Sequence, residues 1–221
     1  MQRPVLLLLL IIFSSSSLMA RPRERLSNWA IGPHLTISFP QSEFSNYSKN
    51  GEGLGAKVLY RLEALPFLTP RMDFTYLSFG EKRSTIEGAY SPYYFIQTRN
   101  ESFQLTVGTQ LNQKLGRVTL YVEPMGGLYN FRTVVTIPDD YYYYLYGQPY
   151  TETKNSRTKF GWGVNGGIML DIGLGPHLDL QLNYQTIPDV VKTIVDDKTV
   201  TRDAKDFSIS FGAVFFLKEK R

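Results

Sequence analysis

The chain has 221 residues, of which 43% are apolar, 14% aromatic and 20% charged, and it contains no cysteine. This length and apolar content suit a folded domain with a sizeable core and exclude a disordered chain. Without cysteine the protein has no disulfide framework, thiolate metal site, thiol nucleophile or lipoprotein anchor. The net charge of +4 comes from scattered basic residues, which gives no support for nucleic-acid binding. With only two histidines, His34 and His177, we expect no metal site and no cofactor.

The first twenty residues have the proportions of a secretory signal peptide. Arg3 precedes nine apolar residues from Val5 to Phe13, and the segment ends in a small residue, Ala20. Nine apolar residues are too few to span a bilayer as a helix, but they suit an export signal that is cleaved. We therefore divide the chain into a signal peptide (1–20), a short periplasmic segment (21–28), a folded domain (29–217) and a charged tail (218–221).

From Trp29 onward, apolar and polar residues alternate, which is the pattern of β-strands with one apolar face. The sixth alternating segment is the most regular, because Phe160, Trp162 and Val164 are separated by single glycines. Eight such segments follow one another, at residues 31–39, 54–64, 72–76, 103–111, 118–128, 160–172, 178–184 and 207–215.

The connections between these segments alternate in length. Short turns are predicted at Leu65–Thr69, Lys114–Arg117 and Gly173–Pro176. An even number of strands, with short turns at one end and long loops at the other, is typical of bacterial outer-membrane barrels. We predict an all-β fold, an eight-stranded antiparallel up-and-down transmembrane β-barrel. Its long loops would be Pro40–Gly53, Gly80–Tyr94, Ile137–Arg157 and Ile187–Lys205.

The two faces of the predicted strands differ in charge. The apolar face carries no charged residue, and in a barrel a single charge near the bilayer midplane costs roughly 2–4 kcal/mol. A charge-free face therefore favours contact with lipid. The alternative is a soluble periplasmic carrier of the lipocalin type, which would pack this face into a narrow lumen. The opposite face carries seven charges: Lys57, Arg61, Glu63, Asp73, Glu123, Asp171 and Asp179.

Aromatic residues near the ends of the predicted strands support the membrane interpretation. Amphipathic rings gather at the two membrane interfaces of such barrels. We expect seven of them there: Trp29, Phe39, Tyr60, Tyr76, Tyr129, Phe160 and Tyr184.

Two segments, Phe160–Ile168 and Phe207–Phe216, resemble strands of the small outer-membrane barrels of the OmpA/OmpX type. The resemblance implies a barrel inserted by the barrel assembly machinery, in contact with outer-membrane lipid and lipopolysaccharide. It transfers no catalytic residue, and we expect a monomer. In that family the last strand ends at an aromatic residue, whereas here Leu217 and the charged tail follow. The candidate assembly signal consists of Phe207, Ile209, Phe211 and Phe215.

The seven charges of the polar face, together with His34, are predicted to form a polar network in the lumen. Because eight strands leave only space that side chains fill, we expect ion pairs and hydrogen bonds that plug the barrel. The alternative is an ion path along these charges.

An outer-membrane lipid-modifying enzyme, similar to lipid A deacylases, is a further alternative. His34 shares a strand face with Thr36 and Ser38. However, the His-x-Ser pair of that family is absent, since Thr36 follows His34 and Asp179 follows His177. The alternation also places His34 in the lumen, away from lipid. We therefore expect a protein that is not an enzyme.

A tyrosine-rich loop between the fifth and sixth strands is the candidate binding element. Tyrosine offers a large amphipathic contact area at low entropic cost, which suits binding loops. We expect a structural or surface-interaction role, with an extracellular surface ligand as the partner of this loop. Its tyrosines are Tyr141, Tyr142, Tyr143, Tyr144, Tyr146 and Tyr150. The alternative is a strand that extends above the membrane, with its tyrosines at the interface.

Overall fold

Eight antiparallel strands close into a barrel in which each strand pairs with its neighbours in chain order and the last pairs with the first. The predicted eight-stranded up-and-down barrel is therefore confirmed. The computed structural model describes residues 26–88, 91–137, 150–173, 175–195 and 198–218. The strands are β1 (Leu26–Gln41), β2 (Gly51–Tyr60), β3 (Leu68–Gly88), β4 (Ser91–Leu115), β5 (Val118–Ile137), β6 (Tyr150–Asp171), β7 (His177–Val195) and β8 (Lys198–Lys218), and helix α1 (Phe44–Tyr47) lies between β1 and β2.

Several predicted features lie outside the described residues. They are the signal peptide (1–20), most of the segment that follows it, the end of the charged tail, and the tyrosines at 141–146. No helix in the described part of the chain is long and apolar enough to cross a membrane.

The barrel has two unlike ends, which we name by their connections. At the turn end, β2–β3, β4–β5 and β6–β7 are joined by short segments. The two-residue β4–β5 turn contains Gly116, whose φ of +64° is a left-handed conformation that glycine adopts without a steric penalty. At the loop end lie the β1–β2, β3–β4, β5–β6 and β7–β8 connections.

Two of the four predicted long loops, Gly80–Tyr94 and Ile187–Lys205, are almost entirely strand, and this corrects the sequence interpretation. β3 reaches Gly88 and β4 begins at Ser91, while β7 reaches Val195 and β8 begins at Lys198. The paired backbone therefore continues far past the alternating segments. Strands of 19–25 residues in β3–β8 exceed the roughly 9–11 residues that cross a bilayer. The alternating pattern weakens there because these extensions lie beyond the apolar band.

The outside of the barrel is apolar over the half next to the turn end. On β1, the segment that begins at the aromatic Trp29 and ends at Phe39 is eleven residues long, which is the length of a strand that crosses a bilayer. This polarity, apolar outside and charged inside, favours a membrane barrel over the soluble carrier. Exposed fractions of 44–62% are found for the outward side chains of Leu35, Phe74, Leu105, Leu128 and Phe160.

Apolar side chains also fill the two ends of the lumen. A turn-end cluster contains Ala30, Leu59, Met169 and Val214, with Phe216 packed against it. A loop-end cluster contains Phe44, Leu77, Phe79, Tyr129, Ile187 and Ala204, with Phe131 and Val190 packed against it.

Tyr129 was predicted at a membrane interface, and that prediction is wrong. Its side chain is completely buried inside the barrel, because Tyr129 shares the inward face of β5 with Tyr121 and Glu123. Glycine on β6 makes room for it. A Cβ atom at Gly161 would lie 2.8 Å from both the Tyr129 ring and the Ile187 side chain.

Candidate functional site

A layer of buried charge crosses the lumen between the two apolar clusters. Lys57 of β2 forms an ion pair with Asp179 of β7. The Tyr121 hydroxyl donates a hydrogen bond of 2.9 Å to the other oxygen of the Asp179 carboxylate. Both charged side chains are at most 2% exposed. The pair therefore connects two strands that are three places apart around the barrel, through its interior.

Arg71 of β3 organises the second part of this layer. Its guanidinium pairs with Asp73 on the same strand and with Glu123 of β5, the latter at 2.8 Å. Thr75 donates a 2.8 Å hydrogen bond to Asp73, and the Nε2 atom of His34 lies 3.2 Å from the Thr75 hydroxyl. The arginine therefore lies between two carboxylates, one of which is also held by a hydroxyl.

Five of the eight residues predicted for the lumen network lie in this layer. All five are inward-facing and buried, since alternation along a strand sends every second side chain to the same face. They are His34, Lys57, Asp73, Glu123 and Asp179.

The other three, Arg61, Glu63 and Asp171, do not join the network, and their placement in it was wrong. β2 ends at Tyr60, so Arg61 and Glu63 follow the strand rather than line the lumen. Arg61 lies 4.5 Å from the centre of the Phe216 ring, and Glu63 accepts a 2.9 Å hydrogen bond from Asn28. Asp171 is the last residue of β6 and accepts a 2.9 Å hydrogen bond from the backbone of the following turn.

Sequence reasoning missed Arg71, the only member of the layer that contacts two carboxylates among the residues that the structure describes. The alternation predicts a third segment that begins at Met72, after a predicted turn that contains proline. In the structure β3 begins at Leu68. Extending the alternation of Thr75 and Asp73 backward by two more residues identifies Arg71 on the same face.

The interior leaves little free space next to this layer. A cavity of about 20 Å³ is lined by polar side chains, including Thr36, Gln104, Asn165 and Ser210. A water molecule needs roughly 10–15 Å³ on this measure, so the cavity has room for about one. At this level the described side chains therefore fill the lumen and leave a cavity of the size of one water molecule.

Closer to the loop end lies a buried carboxyl group that has no cationic partner among the described residues. Asp206 of β8 accepts a 2.6 Å hydrogen bond from Ser38 and a 3.2 Å hydrogen bond from Gln185. Its side chain belongs to the buried interior at 2% exposure. The sequence prediction ended the last loop at Lys205, next to this residue, and so gave Asp206 no role.

The candidate assembly residues of β8 lie on the outside of the barrel. Ile209, Phe211 and Phe215 are 36–48% exposed, and the Phe207 ring lies 6.2 Å from that of Phe39. Their use as an assembly signal remains a prediction. Tyr150 begins β6, while the other tyrosines of the predicted binding loop lie outside the described residues.

No family model and no curated protein matches the sequence. Among solved structures, the chain is similar to Neisserial surface protein A, with 14% identity, a TM-score of 0.44, and coverage of 88% of this chain and 100% of that one. It is also similar to Ail, the attachment invasion locus protein of Yersinia pestis, with 14% identity, a TM-score of 0.45, and coverage of 86% and 100%.

A third similar structure is the outer membrane protein AlkL in lipid bilayers, with 12% identity, a TM-score of 0.45, and coverage of 92% of this chain and 96% of that one. Likeness at these identities concerns the fold alone.

Proposed function

We propose that the protein is a non-enzymatic barrel of the bacterial outer membrane, exported through a cleaved signal peptide, with a surface-interaction role. The observation that carries this proposal is the division of the barrel along its axis. One half has an apolar exterior, whereas the strands of the other half extend past that exterior and carry the loops. We place the loop end outside the cell, because its hairpins extend far past the apolar exterior, as extracellular hairpins and loops of such barrels do, whereas short turns close to the bilayer are typical of the periplasmic side.

The filled interior supports an interaction role over transport. Ions that cross the barrel would have to displace the Lys57–Asp179 pair and the Arg71 pairs, as well as the apolar side chains at both ends. Removing one partner of a buried ion pair typically costs about 3–5 kcal/mol, so this layer resists opening.

The position of His34 supports a role without catalysis. The side chain is 7% exposed, faces the lumen and lies next to Thr75 and Asp73. Lipid substrates contact the outside of a barrel, which this histidine does not reach. A lipid-modifying site built on His34 therefore has no access to its substrate.

The location is tested by fractionation and gel mobility. The full chain expressed with its own leader should be found in the sarkosyl-insoluble membrane fraction. Unheated and boiled samples should migrate differently on a detergent gel, because a folded barrel resists the detergent until it is heated. A protein released from the periplasm without detergent would overturn the proposal.

The interaction role is tested with the tyrosine loop. Cells that display the wild-type protein are compared with cells that display a Tyr141–Tyr146 deletion, and adhesion to matrix-coated wells and cultured cell layers is counted. A variant with the same six positions replaced by glycine and serine controls for loop length. Both variants should keep heat-modifiable mobility and lose adhesion. Unchanged adhesion in both would remove the loop from the proposal.

A further inference from the structure

The outer surface of β4 and β5 carries a charged cluster, which consists of Arg99, Glu101 and Arg132. The Glu101 carboxylate binds both arginines, with Oε1 lying 2.7 Å from Arg99 Nη2 and Oε2 lying 2.5 Å from Arg132 Nε. The carboxylate is covered, because the Glu101 side chain is 1% exposed, whereas Arg99 and Arg132 are 44% and 38% exposed. One buried anion thus holds two half-exposed cations.

The charged cluster lies directly beyond the apolar band. Alternation along β4 sends the side chains of Glu101, Phe103 and Leu105 to the same side. The cluster is therefore two residues from an aromatic ring and four from a lipid-facing leucine. The Arg132 guanidinium lies 4.7 Å from the centre of the Phe103 ring. The Phe103 ring in turn lies 4.9 Å from that of Tyr76. Rings at this position are typical of the interface at which lipid headgroups begin.

The charge balance of the cluster leaves one positive charge in excess. Within the part of the chain that the structure describes, Arg132 binds the Glu101 carboxylate through Nε, which leaves its two terminal nitrogens for a second acceptor. A guanidinium matches the geometry of phosphate and binds it through two parallel hydrogen bonds. Because Glu101 is covered, an approaching anion meets the two arginines and not the carboxylate.

We propose that Arg99 and Arg132 form a binding site for the phosphate groups of a phosphorylated glycolipid in the outer leaflet. Glu101 is the positioning residue that holds the two guanidinium groups at the height of the headgroups. The choice of glycolipid rests on the proposed outer-membrane location, in which the loop end faces the exterior leaflet. The phosphate chemistry rests on the cluster itself.

The test uses the refolded full chain in detergent micelles, titrated with bisphosphorylated lipid A and with the same lipid after removal of its phosphates. Wild-type protein should prefer the phosphorylated form. The Arg99→Gln/Arg132→Gln variant should lose about tenfold in affinity for it, since two charge-assisted contacts disappear, and should bind the dephosphorylated form as before. Equal affinity of wild type and variant for bisphosphorylated lipid A overturns the proposal.

Three controls separate the site from folding and from general charge. Arg99→Lys/Arg132→Lys keeps the charges and should retain most of the binding. Arg117→Gln removes an exposed arginine at the turn end and should bind as the wild type does. Each variant is checked for heat-modifiable mobility, so that an unfolded sample is not scored as a loss of binding.

Two other phosphate compounds, phosphatidylglycerol and inorganic phosphate, are titrated in the same way. Phosphatidylglycerol carries a single phosphodiester, and inorganic phosphate has no lipid part. If either one binds as tightly as lipid A and depends on the same two arginines, the site is a general phosphate site and the glycolipid assignment is wrong. Failure of the proposed location is scored independently, because it depends on fractionation and not on Arg99 or Arg132.

Discussion

Two phenylalanines on β3 illustrate how the two halves of the barrel differ. Phe74 lies on the outside and is 49% exposed, whereas Phe79, five residues later, points into the lumen and is 1% exposed. Near Phe74 the interior contains the Arg71 ion pairs, and the outside is apolar. Near Phe79 the interior is the loop-end cluster, and the outside carries Arg132 and Glu101.

The apolar side chains thus lie outside the barrel in the half near the turn end and inside it in the half near the loop end, while the hydrogen bonds between the strands continue through both halves. The β4–β5 register runs from Leu115↔Val118 past Phe103↔Asn130 to Gln97↔Thr136. Backbone pairing is satisfied in lipid and in water alike, so it does not decide which face is apolar. The surrounding solvent decides this, and the exchange between Phe103 and Glu101 marks where lipid ends.

The largest expected effect comes from breaking the charge layer of the membrane half. Arg71→Met leaves Asp73 and Glu123 buried without their cation, and should lower the free energy of unfolding by about 3–5 kcal/mol. The measurement is urea unfolding in phospholipid vesicles, followed by tryptophan fluorescence. Arg117→Met, at an exposed turn position, is the matched control and should change stability little. Equal losses in the two variants would contradict the role assigned to the layer.

Truncating the two phenylalanines tests the exchange of faces directly. Phe79→Ala leaves a cavity in the loop-end cluster and should cost about 3–5 kcal/mol of unfolding free energy. Phe74→Ala should cost less than half as much, since lipid chains fill the space that its ring leaves. Both values come from the same vesicle unfolding experiment. A larger loss for Phe74→Ala would mean that the apolar face does not change sides.

Placing a charge on the outer surface locates the lipid boundary. Leu105→Arg puts a cation in the apolar band and should cost roughly 2–4 kcal/mol, whereas Asn130→Arg, at the border, should cost about 0–1 kcal/mol. The difference between the variants is measured by the same unfolding assay. Similar costs at both positions would move the boundary toward the loop end.

The smallest expected effect concerns Asp206, the buried carboxyl group that Ser38 and Gln185 bind through hydrogen bonds. Ser38→Ala removes one of the two hydrogen bonds to Asp206 and should lower the unfolding free energy by about 1.5–3 kcal/mol. Ser45→Ala is the control, because Ser45 donates only to an exposed backbone carbonyl. A Ser38→Ala variant as stable as the wild type would show that Gln185 alone holds Asp206.

Alternation predicted the fold because it is a local signal. In the band, lipid on one side and a polar lumen on the other force strict alternation, as in Phe160-Gly161-Trp162. The same signal placed Lys57, Asp73 and Asp179 in the lumen without any knowledge of their partners. It did not predict the pairs, because Lys57 and Asp179 are 122 residues apart and meet only once the barrel closes.

The extended strands were missed for a physical reason. Past the band, the outside of β5 carries Asn130 and Arg132 while Tyr129 and Phe131 fill the inside, so the apolar residues lie on the other parity. Where the apolar residues change from one face of the strand to the other, the period of two is broken in the sequence. A strand with this pattern is mistaken for a loop. The Arg99–Glu101–Arg132 cluster falls in the same stretch, between the predicted strand segments and the predicted loops, and so no role was predicted for it.

The pairing of β5 with β6 continues past the apolar band, with one register shift between Thr133 and Val134, and this has a consequence for how a partner is met. From Leu128 in the band to Ile137, nine residues of paired strand span about 30 Å of contour at roughly 3.3 Å each. The segment that joins these strands is therefore carried away from the bilayer on a two-stranded support rather than on free chain. Because the backbone of this support is already ordered, it loses little conformational entropy when a partner binds. The affinity gained in this way comes from slow dissociation and needs no larger contact area.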